Sequence, residues 1–182
     1  TSLVPLAYLA PCVCLYVRGM DVSICEFVDN RGLTLAVDAA AGVVKNVKLL
    51  GAKSANGRTY SEAAMRDAVT LYEGSKVYLN HPVNSKEPRR VEDRFGEMRG
   101  VSYKPGEGIF AEVFAYNPKH QFAEAFAWNA EHAPHSLGFS HNIVGKTSTK
   151  NGGLVVESIS KVNSVDLVAE PATTRGLHES LD

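Results

Sequence analysis

A histidine and a serine occupy positions in this sequence where strands would end and begin. The segment Lys76 to Asn80 alternates polar and apolar residues, which predicts a half-buried strand with His81 at its junction with a polar loop. Ser136 enters a second strand directly after a helix, and Gly138 allows close backbone approach there. A serine hydroxyl becomes a nucleophile when an imidazole takes its proton and backbone donors hold the resulting oxyanion. Ser136 could meet both conditions, which makes it a candidate nucleophile and His81 a candidate general base.

Each of these residues also has an ordinary structural interpretation. A lone histidine at a strand end is compatible with many roles, and a serine at a strand start commonly bonds its own backbone. Ser140 is a rival nucleophile because it shares a strand face with Ser136. His141 follows it directly and would therefore point to the opposite face, where it could not serve Ser140 as a base.

A carboxylate is the candidate for a third member of the site. Asp166 lies in the apolar strand Val162 to Val168, where a charge is out of place unless it is paired. It could orient the imidazole, and Ser164, two residues earlier on the same face, competes for any role there. The alternative is an aspartate that lies on an edge strand or faces outward.

A metal site is a second hypothesis, since His132, His135 and His141 fall within ten residues. Pro134 would break a helix between the first two, and no cysteine lies nearby to complete a tetrahedral set. The spacing therefore disfavours a metal, and we expect no cofactor.

The elements that must position these residues are mainly strands. Turn residues divide the chain into about eight short strands, among them two hairpins, at 22–28 with 33–37 and at 95–103 with 108–115. Two helices are predicted, one over 61–73 with Thr59 and Glu62 as a capping box, and one from Asn117-Pro118 to about His132. The charged segment 83–94 is predicted to be an exposed loop. We expect an α+β fold, mainly β, with a closed or nearly closed barrel of about seven or eight strands and two or more helices.

Composition narrows the class of protein. The chain has 182 residues and 19 basic against 20 acidic side chains, a net charge of −1 that gives no footprint for nucleic acid. Cys12, Cys14 and Cys25 all lie near the N-terminus, which favours a reducing compartment. The apolar stretch 3–17 contains two prolines and is too short to span a membrane. We expect residues 1–19 to be a leader or upstream extension, 20–176 the folded catalytic domain, and 177–182 the start of a truncated C-terminal tail.

Three segments in a fixed order carry a family resemblance. They are Asn80-His81-Pro82, then Ser136-Leu137-Gly138-Phe139, then Ser164 to Val168 followed by Glu170-Pro171-Ala172. Over about 44–175 the chain resembles the prohead, or capsid maturation, proteases of tailed phages. That resemblance implies a β-barrel related to the herpesvirus assembly protease (assemblin) fold.

The resemblance also implies roles for individual residues. It makes Ser136 the nucleophile and His81 the base, whereas a third catalytic role for Asp166 is carried over less directly, because herpesvirus relatives place a histidine there. Those relatives use a loop arginine shortly after the third residue to build the oxyanion hole. Arg175 is therefore a candidate oxyanion or substrate contact, together with Gly138.

The activity implied is that of a serine endopeptidase. Its substrates would be the scaffold protein, the major capsid protein and its own chain, cut inside an immature viral capsid assembled in the host cytoplasm. Self-association is compatible with this role, and neither nucleic acid nor a membrane is expected as a partner. The alternative is a catalytically inactive capsid or scaffold component with the same barrel, which would use the charged loop 86–94 for docking.

Overall fold

The fold is built around one large, mostly antiparallel sheet. The computed structural model describes residues 22–28, 36–54, 57–82, 87–134 and 136–169. These contain nine strands: β1 Val22–Val28, β2 Ala36–Asp38, β3 Val43–Leu50, β4 Arg58–Tyr60, β5 Lys76–Leu79, β6 Arg94–Lys104, β7 Gly108–Tyr116, β8 Leu137–Lys150 and β9 Gly153–Ala169. Two helices, α1 Glu62–Tyr72 and α2 Ala123–His132, complete the described elements. Neither helix is long and apolar enough to cross a membrane.

The strand order explains how distant segments meet. The sheet runs β1-β8-β9-β5-β6-β7-β3-β2, and β4 pairs with β9 off this path. Most neighbours are antiparallel, but β5 and β4 each run parallel to β9. Since parallel neighbours need a crossover, the chain passes through α1, α2 and the strands β5 to β8 between β4 and β9.

The α+β class and the dominance of strands are confirmed. Closure into a barrel is not, because the path of paired strands in the described residues ends at β1 and β2 without joining them. The early hairpin is wrong, since β1 pairs with β8 and β2 pairs with β3. The two strands predicted at 154–160 and 162–168 form the single strand β9, whose pairing with β8 is interrupted by register shifts in place of a turn. Residues 1–19 and 170–182, on which the domain limits depend, lie outside the described residues.

Helix α1 begins and ends almost where its sequence predicts. Its cap is Ser61, whose Oγ accepts a hydrogen bond of 3.1 Å from the backbone N–H of Ala64, while Thr59 lies in β4. The predicted capping box at Thr59 is therefore wrong by two residues. Gly74 follows the helix with φ of 66°, the left-handed conformation that glycine adopts without steric cost.

Helix α2 ends at His132 as predicted but begins later. Asn117 forms a turn instead, in which its Oδ1 accepts from the N–H of Lys119 and its carbonyl accepts from the N–H of His120. This local bonding competes with helix formation, which is the usual behaviour of an asparagine before a proline. The apolar side of α2 carries Phe126, which packs among the core aromatic rings of the sheet.

The core lies between the sheet and the helices. Phe95 and Phe114 are almost fully buried at its centre, and their ring centroids are 5.9 Å apart. Helix α1 packs on β9 and β6, and it contributes the fully buried Met65 and Tyr72. β9 contacts α1 on one face and is paired with other strands along its edges. These contacts fix the position of the residues that β9 carries.

Candidate active site

The candidate residues converge at one end of the sheet, on three adjacent strands. β8, β9 and β5 are neighbours in that order, and Leu137 pairs with Ala169 while Leu79 pairs with Leu167. Ser136 precedes β8 and His81 follows β5 closely, so they flank the C-terminal end of β9. Two strand spacings separate these backbones, or about 10 Å, a gap that a histidine and a serine side chain can bridge.

Asp166 is the buried carboxylate at the centre of this candidate site. Its side chain is 0% exposed, and β9 holds it opposite Ser140 on one side and Tyr78 on the other. Its Oδ2 accepts a hydrogen bond from Ser164 Oγ at 3.3 Å and lies 2.9 Å from His81 Nδ1. A buried carboxylate is tolerated only when it is paired in this way. Asp166 therefore lies neither on an edge strand nor facing outward, and Ser164 lies beside it as a hydrogen-bond donor to its carboxylate.

His81 reaches Asp166 because of the residue before it. Tyr78 pairs with Asp166 and so shares its face, and simple alternation would then direct His81 to the opposite face. Asn80 has φ of 58°, the left-handed region that asparagine tolerates better than most residues, and this turn breaks the alternation. The contact with Asp166 uses Nδ1, which leaves Nε2 as the ring nitrogen able to accept a proton. The side chain is 50% exposed and therefore accessible to a ligand.

Arg89 is a site residue that the sequence did not identify. The segment that carries it was predicted to be exposed, yet its side chain is only 15% exposed and its Nη1 lies 3.1 Å from Asp166 Oδ1. Its Nη2 donates to the carbonyls of Leu79 and Asn80, at 3.3 and 2.8 Å, and the guanidinium lies 4.4 Å from the Tyr78 ring centroid. Arg90, the next residue, is 74% exposed and pairs with the surface residue Glu92. Nothing in the sequence distinguishes the two arginines.

Ser136 is half-buried at the start of β8, and its hydroxyl is bonded to α2 rather than to His81. Its Oγ lies 2.6 Å from Asn129 Oδ1 and 2.8 Å from the Ala133 carbonyl. The amide of Asn129 is oriented by its Nδ2, which donates to the carbonyl of Ala125 at 2.7 Å, so the oxygen faces the serine. To donate to His81, the serine hydroxyl must turn away from these two acceptors.

The rival pair Ser140 and His141 is buried in the sheet. His141 is enclosed by the core, and its Nδ1 is hydrogen-bonded to the hydroxyl of Tyr72. Burial lowers the pKa of His141 to about 3. Its ring packs towards α1, whereas Ser140 pairs with Asp166 across the strands, so His141 does not serve Ser140 as a base.

The remaining candidates are placed as follows. Gly138 lies in β8, two residues after Ser136, where it is buried and pairs with Val168 of β9. Arg175 and the segment 170–172 lie outside the described residues. So does His135, while His132 is half-exposed beside Trp128 and His141 is buried. Among the residues that the structure describes, no cluster of three histidine, cysteine or acidic side chains could hold a metal.

Comparison with known proteins finds similarity in structure but not in sequence. No family model matches the chain, and no curated protein sequence matches it significantly. A solved structure, that of the bacteriophage T4 capsid assembly protease gp21, superimposes with a TM-score of 0.58 at 15% sequence identity. The match covers 84% of this chain and 100% of the other. The chain thus shares the fold of a phage capsid assembly protease.

Proposed function

We propose that this protein is a serine endopeptidase of phage capsid maturation, with Ser136 as nucleophile, His81 as general base and Asp166 as the residue that orients the base. The observation that carries the proposal is the bond between His81 Nδ1 and the fully buried Asp166, at the sheet end where Ser136 also lies. The fold shared with the T4 capsid assembly protease supports the same reading. The relation to the herpesvirus assembly protease stays a prediction from the sequence.

The chemistry follows from the order of the contacts. Asp166 accepts from His81 Nδ1–H and so keeps Nε2 unprotonated, ready to take the hydroxyl proton of Ser136. Ser136 Oγ then bonds to the scissile carbonyl carbon, and the negative charge passes to the carbonyl oxygen. The imidazolium returns its proton to the leaving amine as the peptide bond breaks, and water hydrolyses the acyl-enzyme by the same steps.

The proposed nucleophile must leave a resting position first. Its hydroxyl donates towards Asn129 and Ala133, and it must rotate about Cα–Cβ to meet His81. The oxyanion would be held by backbone N–H groups near Gly138, and Arg175 is the further candidate. Scaffold and major capsid proteins, and the protein's own chain, are the proposed substrates inside the immature capsid.

A fluorophosphonate probe tests the proposal without knowledge of the cleavage site, because it reacts only with an activated serine. We expect the wild-type protein to be labelled at Ser136, and Ser136→Ala and His81→Ala to lose labelling. Ser148→Ala, on the distal half of β8, is the matched control and should label as wild type does. Labelling of Ser136→Ala at the wild-type rate, or unimpaired processing of a capsid or scaffold substrate by that variant, would make the assignment wrong.

A further inference from the structure

Arg89 contacts both the Asp166 carboxylate and the backbone turn at Asn80, which together position His81. One nitrogen of its guanidinium, Nη1, approaches Asp166 Oδ1 to 3.1 Å as an ion pair. The other, Nη2, donates to the backbone carbonyls of Leu79 and Asn80. The planar fork of arginine suits such divided contacts, which a lysine ammonium cannot reproduce.

The two carbonyls bound by Arg89 lie on either side of the turn that redirects the chain. Asn80 is the left-handed residue between them, and its own N–H donates to the Leu167 carbonyl of β9 at 2.9 Å. Beyond Leu79 the strand pairing ends, so these carbonyls need partners from elsewhere. Arg89 supplies the partner and so stabilises the conformation that brings His81 onto Asp166.

The ion pair also fixes the orientation of the Asp166 carboxylate. Oδ1 faces Arg89 and Oδ2 faces His81, so each carboxylate oxygen has a different partner. Nη1 and Oδ1 are both buried and approach each other without the alignment of a hydrogen bond, so the contact is chiefly electrostatic. Because Arg89 holds Oδ1, Oδ2 stays directed at His81 Nδ1.

We propose that Arg89 is a positioning residue of the active site, which holds both the Asp166 carboxylate and the Asn80 turn so that His81 is presented to Ser136. The expected effect on Ser136 reactivity rests on the proposed function. The expected effect on the position of the His81 ring does not. Tyr78 completes the arrangement, since its ring lies against the guanidinium on the Asp166 face of the sheet.

The test compares Arg89→Met, Arg89→Lys and the matched control Arg90→Ala. The rate of Ser136 labelling by a fluorophosphonate, in which the Oγ–P bond forms, the P–F bond breaks and His81 takes the proton, should fall about 100-fold in Arg89→Met. Arg89→Lys should recover only part of the loss, since it restores the charge without the fork. Arg90→Ala should label as wild type does. If wild type is labelled and Arg89→Met is labelled at the same rate, the positioning role of Arg89 is wrong, whereas the proposed protease function stands.

A second measurement does not depend on catalysis. In a Ser136→Ala background, the Nδ1–H proton of His81 is observed by NMR with histidine-specific labelling, because its hydrogen bond to Asp166 reports the position of the ring. Its exchange with solvent should become about tenfold faster in Arg89→Met, with a smaller change in Arg89→Lys. A folded Arg89→Met protein whose His81 Nδ1–H resonance and exchange rate match those of wild type would refute the positioning role. Failure of wild type to label at all, with faster exchange in Arg89→Met, would refute the protease proposal and leave the positioning role standing.

Discussion

His141 should make the stability of this protein sensitive to mild acid. The ring is enclosed by the core and bound to Tyr72, and its desolvation lowers its pKa to about 3 from an ordinary value of 6.5. The folded state therefore keeps His141 neutral, whereas the unfolded chain can protonate it. The unfolded state binds the extra proton below pH 6.5, so stability is present above that pH and is lost as the pH falls towards 3.

The size of the effect follows from the two pKa values. Between pH 7 and pH 5 the unfolded state gains about 2 kcal/mol from protonation of this one ring, while the folded state gains almost nothing. Urea denaturation followed by circular dichroism at both pH values measures the difference. The variant His141→Gln removes the titration but keeps a polar side chain near Tyr72, so its free energy of unfolding should depend less on pH by about 2 kcal/mol.

A control variant leaves every titratable side chain in place. Val91→Ala alters a side chain that is 85% exposed and should retain the full pH dependence of the wild-type protein. If His141→Gln and wild type lose the same stability between pH 7 and pH 5, the reasoning about a neutral, enclosed ring is wrong.

Three further substitutions have expected outcomes. Asp166→Asn should lower the rate of fluorophosphonate labelling by about 10³- to 10⁴-fold, since an amide can stabilise the wrong tautomer of His81. Asn129→Ala should raise that rate about fivefold, because the Ser136 hydroxyl loses an acceptor worth about 1 kcal/mol in its resting position. Phe114→Ala should lower the free energy of unfolding by about 3–5 kcal/mol in urea denaturation, because the ring is fully buried among other aromatic rings.

Each of these has a matched control on the surface. Asp67→Asn and Glu124→Ala change exposed side chains on α1 and α2 and should leave labelling unchanged. Val91→Ala alters a side chain that is 85% exposed and should change stability by less than about 0.5 kcal/mol. A slower reaction of Asn129→Ala would mean that the Asn129 contact assists the serine, and a Phe114→Ala protein as stable as Val91→Ala would contradict the position of the core.

The sequence predicted those parts of the site that depend on strand ends and on an unexpected charge. Asp166 was identifiable because a carboxylate in an apolar strand needs a partner, and the structure places His81 and Arg89 against it. Arg89 was not identifiable from the sequence, because its burial depends on the folded path of a charged loop and not on any local periodicity. The turn at Asn80 was likewise hidden, since asparagine is compatible with many conformations besides the left-handed one.

The fold shows the same division between local and distant information. Helix α1 and the hairpin of β6 and β7 are formed by neighbouring residues, and their patterns located them. The pairing of β1 with β8 and the parallel pairing of β5 with β9 join segments far apart in sequence. No short-range turn signal encodes such partners. The prediction that paired 22–28 with the nearest strand, 33–37, is wrong for this reason.

The long strand β9 is the last described element to be synthesised, yet it occupies the interior of the sheet, between β8 and β5. A nascent chain that has not yet reached β9 lacks both Asp166 and the strand against which β5 aligns. Pairings of such high sequence separation form late, after the cost in loop entropy has been met. The dependence of the candidate site on β9 would therefore delay its assembly until the ribosome has translated this strand, and a product that ended before β9 would have no assembled site.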